Sequence, residues 1–260
     1  MIDIHSHVIW DVDDGAPTPE ISLEMLRAAR RTGTSHIVAT PHMNSEFEFI
    51  PELSYERARL LTEMDEELPI IHLGCEFHLS VDNLDRLLND PFRYTINGKQ
   101  YFLMECPDYH IGKHAEAVVM RLIDAGLVPV VAHPERNPVF QRDPARLGSW
   151  VDMGCLTQLT SLSVTGDFGR STATIADKML EKGLIHVVAS DAHDPKFRHA
   201  CLDKAFALIE ARYGADTAAI LFEHNPRCVI EGHPVPGGRQ VSEGAANKWW
   251  QFWRSKSDFD

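Results

Sequence analysis

The sequence lacks the cysteine patterns of a disulfide framework, a zinc knuckle or a cysteine-nucleophile phosphatase. Its five cysteines are scattered, odd in number and never spaced as Cys-x-x-Cys. None is followed six positions later by arginine, as a cysteine-nucleophile phosphatase loop requires. We therefore expect all of them to be buried small apolar residues: Cys75, Cys106, Cys155, Cys201 and Cys228.

Long apolar runs and an excess of basic residues are also missing. No stretch is apolar and long enough to span a bilayer, and the N-terminus lacks the basic and apolar regions of a signal peptide. The net charge is −13, whereas a general nucleic-acid binder carries a basic face. We therefore expect a cytoplasmic protein without a nucleic-acid partner, whose clustered carboxylates are offset in part by bound metal.

Short apolar runs alternate with helical patterns along most of the chain. The clearest helix follows Thr18 as N-cap, has Pro19 at its first position and ends before Gly33. A glycine between a helix and the next strand recurs, which indicates left-handed helix ends. The predicted strands are 1–7, 35–41, 70–78, 101–106, 128–133, 156–162 and 186–193, and the predicted helices are 18–33, 52–68, 81–88, 113–126, 144–153, 171–183 and 197–213.

Seven strand–helix units favour an α/β barrel of parallel strands, although periodicity alone leaves an open doubly wound sheet possible. We expect one domain over 1–232, followed by a flexible tail over 233–260 that begins with proline, glycine and serine. Within the tail, 247–256 combines four aromatic with three basic residues. This segment could contact a membrane surface or a partner, or it could be a disordered tail or fold back onto the barrel.

Ionisable side chains collect where six of the predicted strands end. Barrels of parallel strands place their active sites at that end. His36, His72 and His186 instead stand at strand beginnings, and we expect them to be packing or surface residues. The groups at the strand ends and in the first loop are five imidazoles and four carboxylates: His5, His7, Asp14, His42, Glu76, Glu105, His133, Asp191 and His193.

These nine residues are predicted metal ligands, sufficient for two or three divalent ions of manganese, iron or zinc. Multinuclear sites of this type suit the hydrolysis of phosphate esters, because one ion lowers the pKa of a bound water and its neighbour neutralises the phosphoryl oxygens. Arg136 and Arg198 follow two of the strand ends and are predicted to grip phosphate through planar guanidinium groups.

Several neighbouring residues keep alternative roles. Asp14, His42 and Glu105 could instead orient a ligand, and Arg136 could merely pair with Glu135. We expect Asp11 and Asp13 to lie in a turn or to orient a ligand, and Asp13 could also compete with Asp14 for metal. Asp3 is expected to orient a histidine, and His78 to support a ligand or to contact the substrate. His110 and His114 are expected at the surface.

The segments 1–15, 39–42, 74–76, 132–136 and 189–193 resemble the polymerase-and-histidinol-phosphatase (PHP) superfamily. More narrowly, they resemble the manganese-dependent protein tyrosine phosphatases encoded with bacterial capsule and exopolysaccharide genes. The likeness extends from residue 1 to about 231 and includes 151–158 and 225–227, which we expect to lie outside the metal site.

This resemblance implies a distorted, TIM-like (β/α)7 barrel with a trinuclear site. One ion would be held by His5, His7, Glu76 and Asp191, the second by Glu76, Glu105 and His133, and the third by Asp14, His42 and His193. Arg136 and Arg198 would bind the phosphate. The loop over 106–112 is this chain's own, and such loops shape substrate choice.

The resemblance also implies an activity, namely hydrolysis of phosphotyrosine by metal-activated hydroxide, with manganese as the expected ion. The expected partner is a tyrosine kinase of exopolysaccharide or capsule assembly. Two alternatives stay open: a small-molecule phosphomonoesterase of the histidinol-phosphatase type, and a non-catalytic metal-binding regulatory module.

Overall fold

The computed structural model of the chain describes residues 1–112 and 115–236. The predicted beginning of the fourth helix, the expected surface position of His114 and the tail segment 247–256 lie outside the described residues. The boundary expected at residue 232 stays a prediction. Within the described part, no helix combines the length and the apolar character needed to cross a bilayer.

The strands form a ring in which every paired neighbour is parallel. Two sheets have the orders β1-β2-β4 and β3-β5-β6-β7-β8-β9. A parallel bridge between Ser6 and Ala192 joins β1 to the segment after β9. The strands are β1 Ile2–Ser6, β2 His36–Ala39, β3 His42–Met43, β4 Ile70–Leu73, β5 Glu76–His78, β6 Tyr101–Glu105, β7 Val128–Ala132, β8 Leu156–Thr160 and β9 Val187–Ala189.

The distorted barrel is confirmed, and its distortion has a local cause. The predicted strand over 70–78 is interrupted after Leu73 and resumes at Glu76, and the second strand is likewise followed by the short β3. These interruptions split the ring into two sheets. Gly74 lies at one of them, where an added Cβ would stand 2.9 Å from the Ile96 side chain.

The helices connect the strands and cover the ring. They are α1 Pro19–Arg31, α2 Pro51–Met64, α3 Val81–Asn89, α4 Ala115–Asp124, α5 Pro138–Arg142, α6 Pro144–Met153, α7 Ser161–Thr165, α8 Arg170–Glu181, α9 Asp203–Tyr213, α10 Ala215–Ala219 and α11 Asn225–Glu231. Short 3-10 turns span Pro91–Tyr94 and Ile96–Gly98, and a π-helical turn spans Ile220–His224.

Helix α1 follows the sequence signals closely. The Thr18 side chain accepts a hydrogen bond from the Ile21 backbone N–H, and Pro19 occupies the first turn. Gly33 follows with φ +94°, a left-handed conformation that glycine adopts without steric cost. The apolar face of α1 is formed by its buried residues Leu23, Met25, Leu26 and Ala29.

One apolar cluster of the core consists of alternating residues of β1, β2, β6, β7, β8 and β9. It includes Ile4, Val38, Leu103, Val130 and Leu156, all fully buried. Residues of α11 pack against the same cluster. Because alternation assigns these side chains to one face of each strand, the opposite face is left to pack against the surrounding helices.

Some sequence predictions are wrong in detail. The last predicted helix begins at Asp203 rather than 197, because the segment before it forms turns around Asp194. The short helices α5, α7, α10 and α11 were not predicted, since five to seven residues carry too little periodicity. Cys201 and Cys228 are half-buried rather than buried, whereas Cys75, Cys106 and Cys155 are buried as expected.

Candidate metal centre and phosphate-binding cavity

The strand ends surround a cavity of about 290 Å³. Seven of the nine predicted ligands line it. The donor atoms of eight of them, all except His133, form three overlapping groups, and within each group these atoms lie within 4.8 Å of one another. The groups are His5, His7, Glu76 and Asp191; His7, Asp14, His42 and His193; and His42, Glu76 and Glu105. The first group has the same members as one predicted site, whereas the other two differ from the predicted partition.

His5 and His7 aim their Nε2 atoms at one point. These atoms are 3.3 Å apart and lie 3.1 and 3.2 Å from Glu76 Oε2. Asp191 Oδ1 is 3.3 Å from His5 Nε2. The strand prediction that both imidazoles share one face is therefore correct, and two carboxylates meet them there.

The opposite nitrogen of each ring is held by an acceptor. His5 Nδ1 is 2.9 Å from Gln158 Oε1, which also accepts the His133 backbone N–H at 3.3 Å, so this atom must be the amide oxygen. His7 Nδ1 is 2.7 Å from Asp13 Oδ2. Each Nδ1 therefore donates a proton, and in the neutral ring Nε2 presents its lone pair to the cavity.

His193 follows the same pattern. Its Nδ1 donates to the Asp191 carbonyl at 3.0 Å, and its Nε2 lies 3.5 Å from Asp14 Oδ1. His42 Nε2 is 3.4 Å from the same oxygen. The two histidines beside it, His193 first and then His42, hold the pKa of Asp14 well below its usual range, so Asp14 presents a carboxylate.

Burial and charge oppose each other inside the cluster. Burial disfavours the charged form of His5, but the negative charges of Glu76 and Asp191 outweigh it and raise the pKa of His5. Burial likewise favours the neutral acids, yet His5 and its neighbours hold the pKa of Glu76 and of Asp191 well below the usual range. The arrangement thus keeps buried carboxylates ionised and requires positive charge beside them.

His133 also contacts two of the carboxylates. Its Nε2 is 2.8 Å from Glu76 Oε1 and 3.9 Å from Glu105 Oε1. Glu105 Oε2 is also 3.0 Å from His78 Nδ1, so His78 supports a predicted ligand. His42 Nδ1 lies 3.2 Å from Glu76 Oε2 but makes no hydrogen bond there, although it is buried.

Two of the predicted ligands occupy unusual backbone conformations. His133 has φ +31° and Asp191 has φ +53°, both in a region that side chains with a Cβ rarely adopt. The Asp191 N–H donates to the His5 carbonyl at 2.8 Å, and the His133 N–H donates to Gln158. Strain held by such bonds concentrates at functional sites, and here it directs two side chains into one cavity.

Both predicted phosphate-binding arginines line the cavity. The Arg136 and Arg198 guanidinium groups donate to the same oxygen of Asp191, the latter at 2.8 Å. Arg136 therefore pairs with Asp191 rather than with Glu135, which accepts from Ser163 at 2.6 Å and from the Thr160 N–H at 3.2 Å. The Nε atoms of both arginines are buried without a hydrogen-bond partner, so each group keeps donor capacity.

Two residues of the site, Gln158 and Asn137, escaped the sequence analysis. Gln158 belongs to a segment that was expected outside the metal site, yet it orients His5; the signal was a polar residue within a buried strand. Asp13, for which a ligand-orienting role was expected, does accept from His7, and it also accepts from the Gly15 and His42 backbone N–H groups. Asn137 caps α5 and donates to the Cys106 and Pro107 carbonyls, which ties the 106–112 loop to the site.

The remaining expectations have mixed outcomes. Asp3 accepts from the backbone N–H groups of His5 and Ser190, so it fixes the chain rather than an imidazole ring. Asp11 lies in the turn and pairs with Arg57. His110 is exposed, as predicted. The histidines at strand beginnings pack away from the cavity, as expected: His36 against His72, and His186 against Thr157.

Comparisons with known proteins identify the family to which the sequence is similar. The sequence profile described as capsular polysaccharide synthesis, CpsB/CapC, matches residues 1–231. Tyrosine-protein phosphatase YwqE of Bacillus subtilis is 34% identical over 227 residues, 86% of this chain and 89% of that protein. Tyrosine-protein phosphatase CpsB of Streptococcus pneumoniae is 33% identical over 239 residues, 88% of this chain and 98% of that protein.

Solved structures agree with the sequence relatives. One from a study of YwqE from Bacillus subtilis and CpsB from Streptococcus pneumoniae, described as unique metal-dependent tyrosine phosphatases, superposes with a TM-score of 0.84 at 32% identity. It covers 94% of this chain and 100% of its own. A beta-aspartyl dipeptidase from Fervidobacterium islandicum superposes at 0.55 with 14% identity, covering 89% of this chain and 74% of its own, which indicates a shared fold alone.

Proposed function

The chain belongs to the CpsB/CapC family of capsular polysaccharide synthesis, and from that premise we propose that it is a metal-dependent tyrosine phosphatase. The observation that supports this most is the convergence of three Nε2 lone pairs with ionised carboxylates beside two arginines. The two relatives at 33–34% identity are named tyrosine-protein phosphatases.

The residues present fit a cluster of divalent cations. In His5, His7 and His193, the Nδ1 atom donates a hydrogen bond to a protein acceptor and the Nε2 atom faces the other proposed ligands. Metal-binding histidines are oriented in this way. We propose His5, His7, Glu76 and Asp191 for one ion; Asp14, His42 and His193 for another; and Glu76, Glu105 and His133 for a third, with Glu76 shared. Imidazole with carboxylate suits manganese, iron or zinc, and we propose manganese.

Bound divalent cations would supply an activated water and neutralise charge on the phosphoryl oxygens. The chain's own part is binding and orientation. Arg136 and Arg198 lie on one side of the cavity, and their guanidinium groups would pair with the non-bridging oxygens of a phosphate. Asp191 holds both guanidinium groups in place, and Asp13 and Gln158 fix the rings of His7 and His5.

A cysteine nucleophile has no support in this geometry. Cys75 precedes Glu76 in the chain, and burial together with the charge of that carboxylate raises the pKa of its thiol well above the usual range. Burial alone raises the pKa of Cys155 to about 12. These thiols stay protonated near neutral pH, so none of them provides a thiolate.

We propose a phosphotyrosine protein as the substrate, specifically a bacterial tyrosine kinase of capsule or exopolysaccharide assembly. The family description supports a place in capsule synthesis. A phenolate is a good leaving group, since the pKa of a phenol is about 10, so little protonation of the leaving oxygen is needed. The small cavity would receive the phosphoryl group while the remainder of the protein substrate stays outside.

The proposal is tested by phosphate release from a phosphotyrosine peptide and from histidinol phosphate, side by side, by metal-stripped protein with manganese added back. We expect preference for the peptide. Preference for histidinol phosphate would assign the same site to a small-molecule phosphomonoesterase. Bound metal without turnover of either compound would identify a regulatory module instead.

A further inference from the structure

A groove of about 680 Å³ lies away from the strand-end cavity, between α2, β4 and the two 3-10 turns. Its wall is mainly apolar and includes Phe49, Ala58, Ile71, Leu73 and Phe92. The groove shares no lining residue with the candidate metal site. The proposed phosphatase reaction therefore does not account for it.

Large apolar side chains at this groove are open to solvent. The exposed fraction is 66% for Tyr55 and 39% for Phe92. Contiguous apolar surface of this kind usually marks a place where another segment or molecule binds. The volume is sufficient for several side chains, because ligand pockets span about 300–1,000 Å³.

The described chain ends close to this groove. Asn97, which lines it, donates a hydrogen bond from Nδ2 to the Ile230 carbonyl at 2.9 Å. Gln100 Nε2 donates to the Gly232 carbonyl at 2.8 Å, and the Tyr101 hydroxyl donates to the His233 carbonyl at 2.7 Å. These bonds anchor the last described residues beside one wall, so the chain that follows starts next to the groove.

The sequence that follows is rich in aromatic residues. Three of the chain's five tryptophans are Trp249, Trp250 and Trp253, and Phe252 lies between them. About 13 residues separate Pro236 from Trp249, which can span about 40 Å when extended. The intervening chain is therefore long enough for the aromatic segment to reach the neighbouring groove, and the segment is apolar enough to fill it.

Charged groups at the groove also suit indole rings. Arg59 and Arg93 line it, and Asp90 offers a carboxylate to the basic residues that flank the tail aromatics. In the described part of the chain, both tryptophans have a guanidinium over the ring, Arg57 over Trp10 at 5.2 Å and Arg146 over Trp150 at 6.0 Å. Cation–π contact is thus a way in which this protein already holds tryptophan.

We propose that the aromatic segment 249–253 docks into this groove of the same molecule. The docking would cover Tyr55 and Phe92 and would pack the indole rings beside Arg59 and Arg93. Intramolecular docking needs little intrinsic affinity, because the tether holds the segment at a high effective concentration. The groove is then an internal docking site, independent of the catalytic proposal.

The test is acrylamide quenching of tryptophan fluorescence in the full chain. A variant with Trp249, Trp250 and Trp253 replaced by phenylalanine gives the background from Trp10 and Trp150. We expect the tail signal in the wild type to have a quenching constant roughly twofold below that of a free peptide spanning 240–260. Tyr55→Glu with Phe92→Glu should raise the constant to the peptide value, because two apolar contacts become charged. Tyr109→Glu, which changes a 94% exposed tyrosine outside the groove, should leave it unchanged.

A photo-crosslink gives the second readout. With a benzophenone amino acid at position 252, we expect crosslinked peptides from 49–62 or 90–98 at every protein concentration. Crosslinks between two chains that vanish on dilution would overturn the proposal in favour of a second copy. Protection of the tail only with added anionic lipid vesicles would also overturn it, as would quenching equal to that of the free peptide.

Discussion

At the scale of single residues, the site depends on side chains that do not face the cavity. Gln158 and Asp13 fix the proton of His5 and His7 on Nδ1, and a backbone carbonyl does the same for His193. The proposed ligands could be predicted from the sequence because most of them end strands, and Asp13 could be predicted because it lies beside them in the chain. Gln158 could not, since it meets His5 across a sequence separation of 153 positions.

Replacing Gln158 by leucine tests this support. The change removes the acceptor of the His5 proton, so we expect manganese affinity and turnover to fall by about 10–100-fold. Gln158→Glu keeps an acceptor and should retain much more of both. Manganese affinity is measured by calorimetric titration, and turnover with an aryl phosphate. Wild-type affinity in the leucine variant would contradict the assigned role.

At the scale of elements, most of the longer helices and the strands could be predicted from the sequence. Caps and periodicity predicted α1 and α6 within two residues, because Thr18, Pro19 and Gly154 act locally. The interruptions at Leu73 and after β2 were not predicted, because 70–78 was read as one continuous strand, although Gly74 inside that run marks the break. The partition of ligands among ions also depends on distances across the ring, which no local pattern contains.

The turn that joins β1 to α1 is packed without spare space. An added Cβ at Gly15 would lie 2.2 Å from the His7 carbonyl oxygen and 2.5 Å from its Cβ. We expect Gly15→Ala to lower the free energy of unfolding by about 1–3 kcal/mol and to weaken manganese binding. The measurement is denaturant unfolding, with calorimetric titration for the metal.

Gly148→Ala is the matched control for Gly15→Ala. Gly148 lies inside α6, where an added Cβ meets only Leu184 at 3.9 Å. We expect this change to raise the free energy of unfolding by about 0.5–1 kcal/mol, because alanine has the higher helix propensity. Equal effects of the two substitutions would show that packing at Gly15 is unimportant.

At the scale of the whole molecule, a buried histidine far from the site links stability to pH. Burial lowers the pKa of His186 to about 4. Its Nδ1 accepts the Thr157 backbone N–H at 3.2 Å, so protonation at that atom would remove a hydrogen bond. Because the folded pKa lies below the unfolded one, the unfolded chain binds the proton first, and stability declines as the pH falls from about 6.5 to 4.

We expect this decline to be smaller by about 2–3 kcal/mol in His186→Gln than in the wild type. The measurement is urea unfolding at several pH values in chelator, which removes any contribution from metal binding. His110→Gln, at an exposed position, should follow the wild-type curve. Parallel curves for the wild type and His186→Gln would contradict the buried neutral form of His186.

The whole ring serves one arrangement, in which distant strand ends bring the proposed ligands and two arginines together around a single cavity. The most direct test is phosphate release from a phosphotyrosine peptide as manganese is titrated into metal-stripped protein. We predict no turnover in chelator, restoration by manganese in the wild type and in the control Asp177→Asn, and none in folded Asp191→Asn. Full turnover by Asp191→Asn, or by wild-type protein in chelator, would contradict the account.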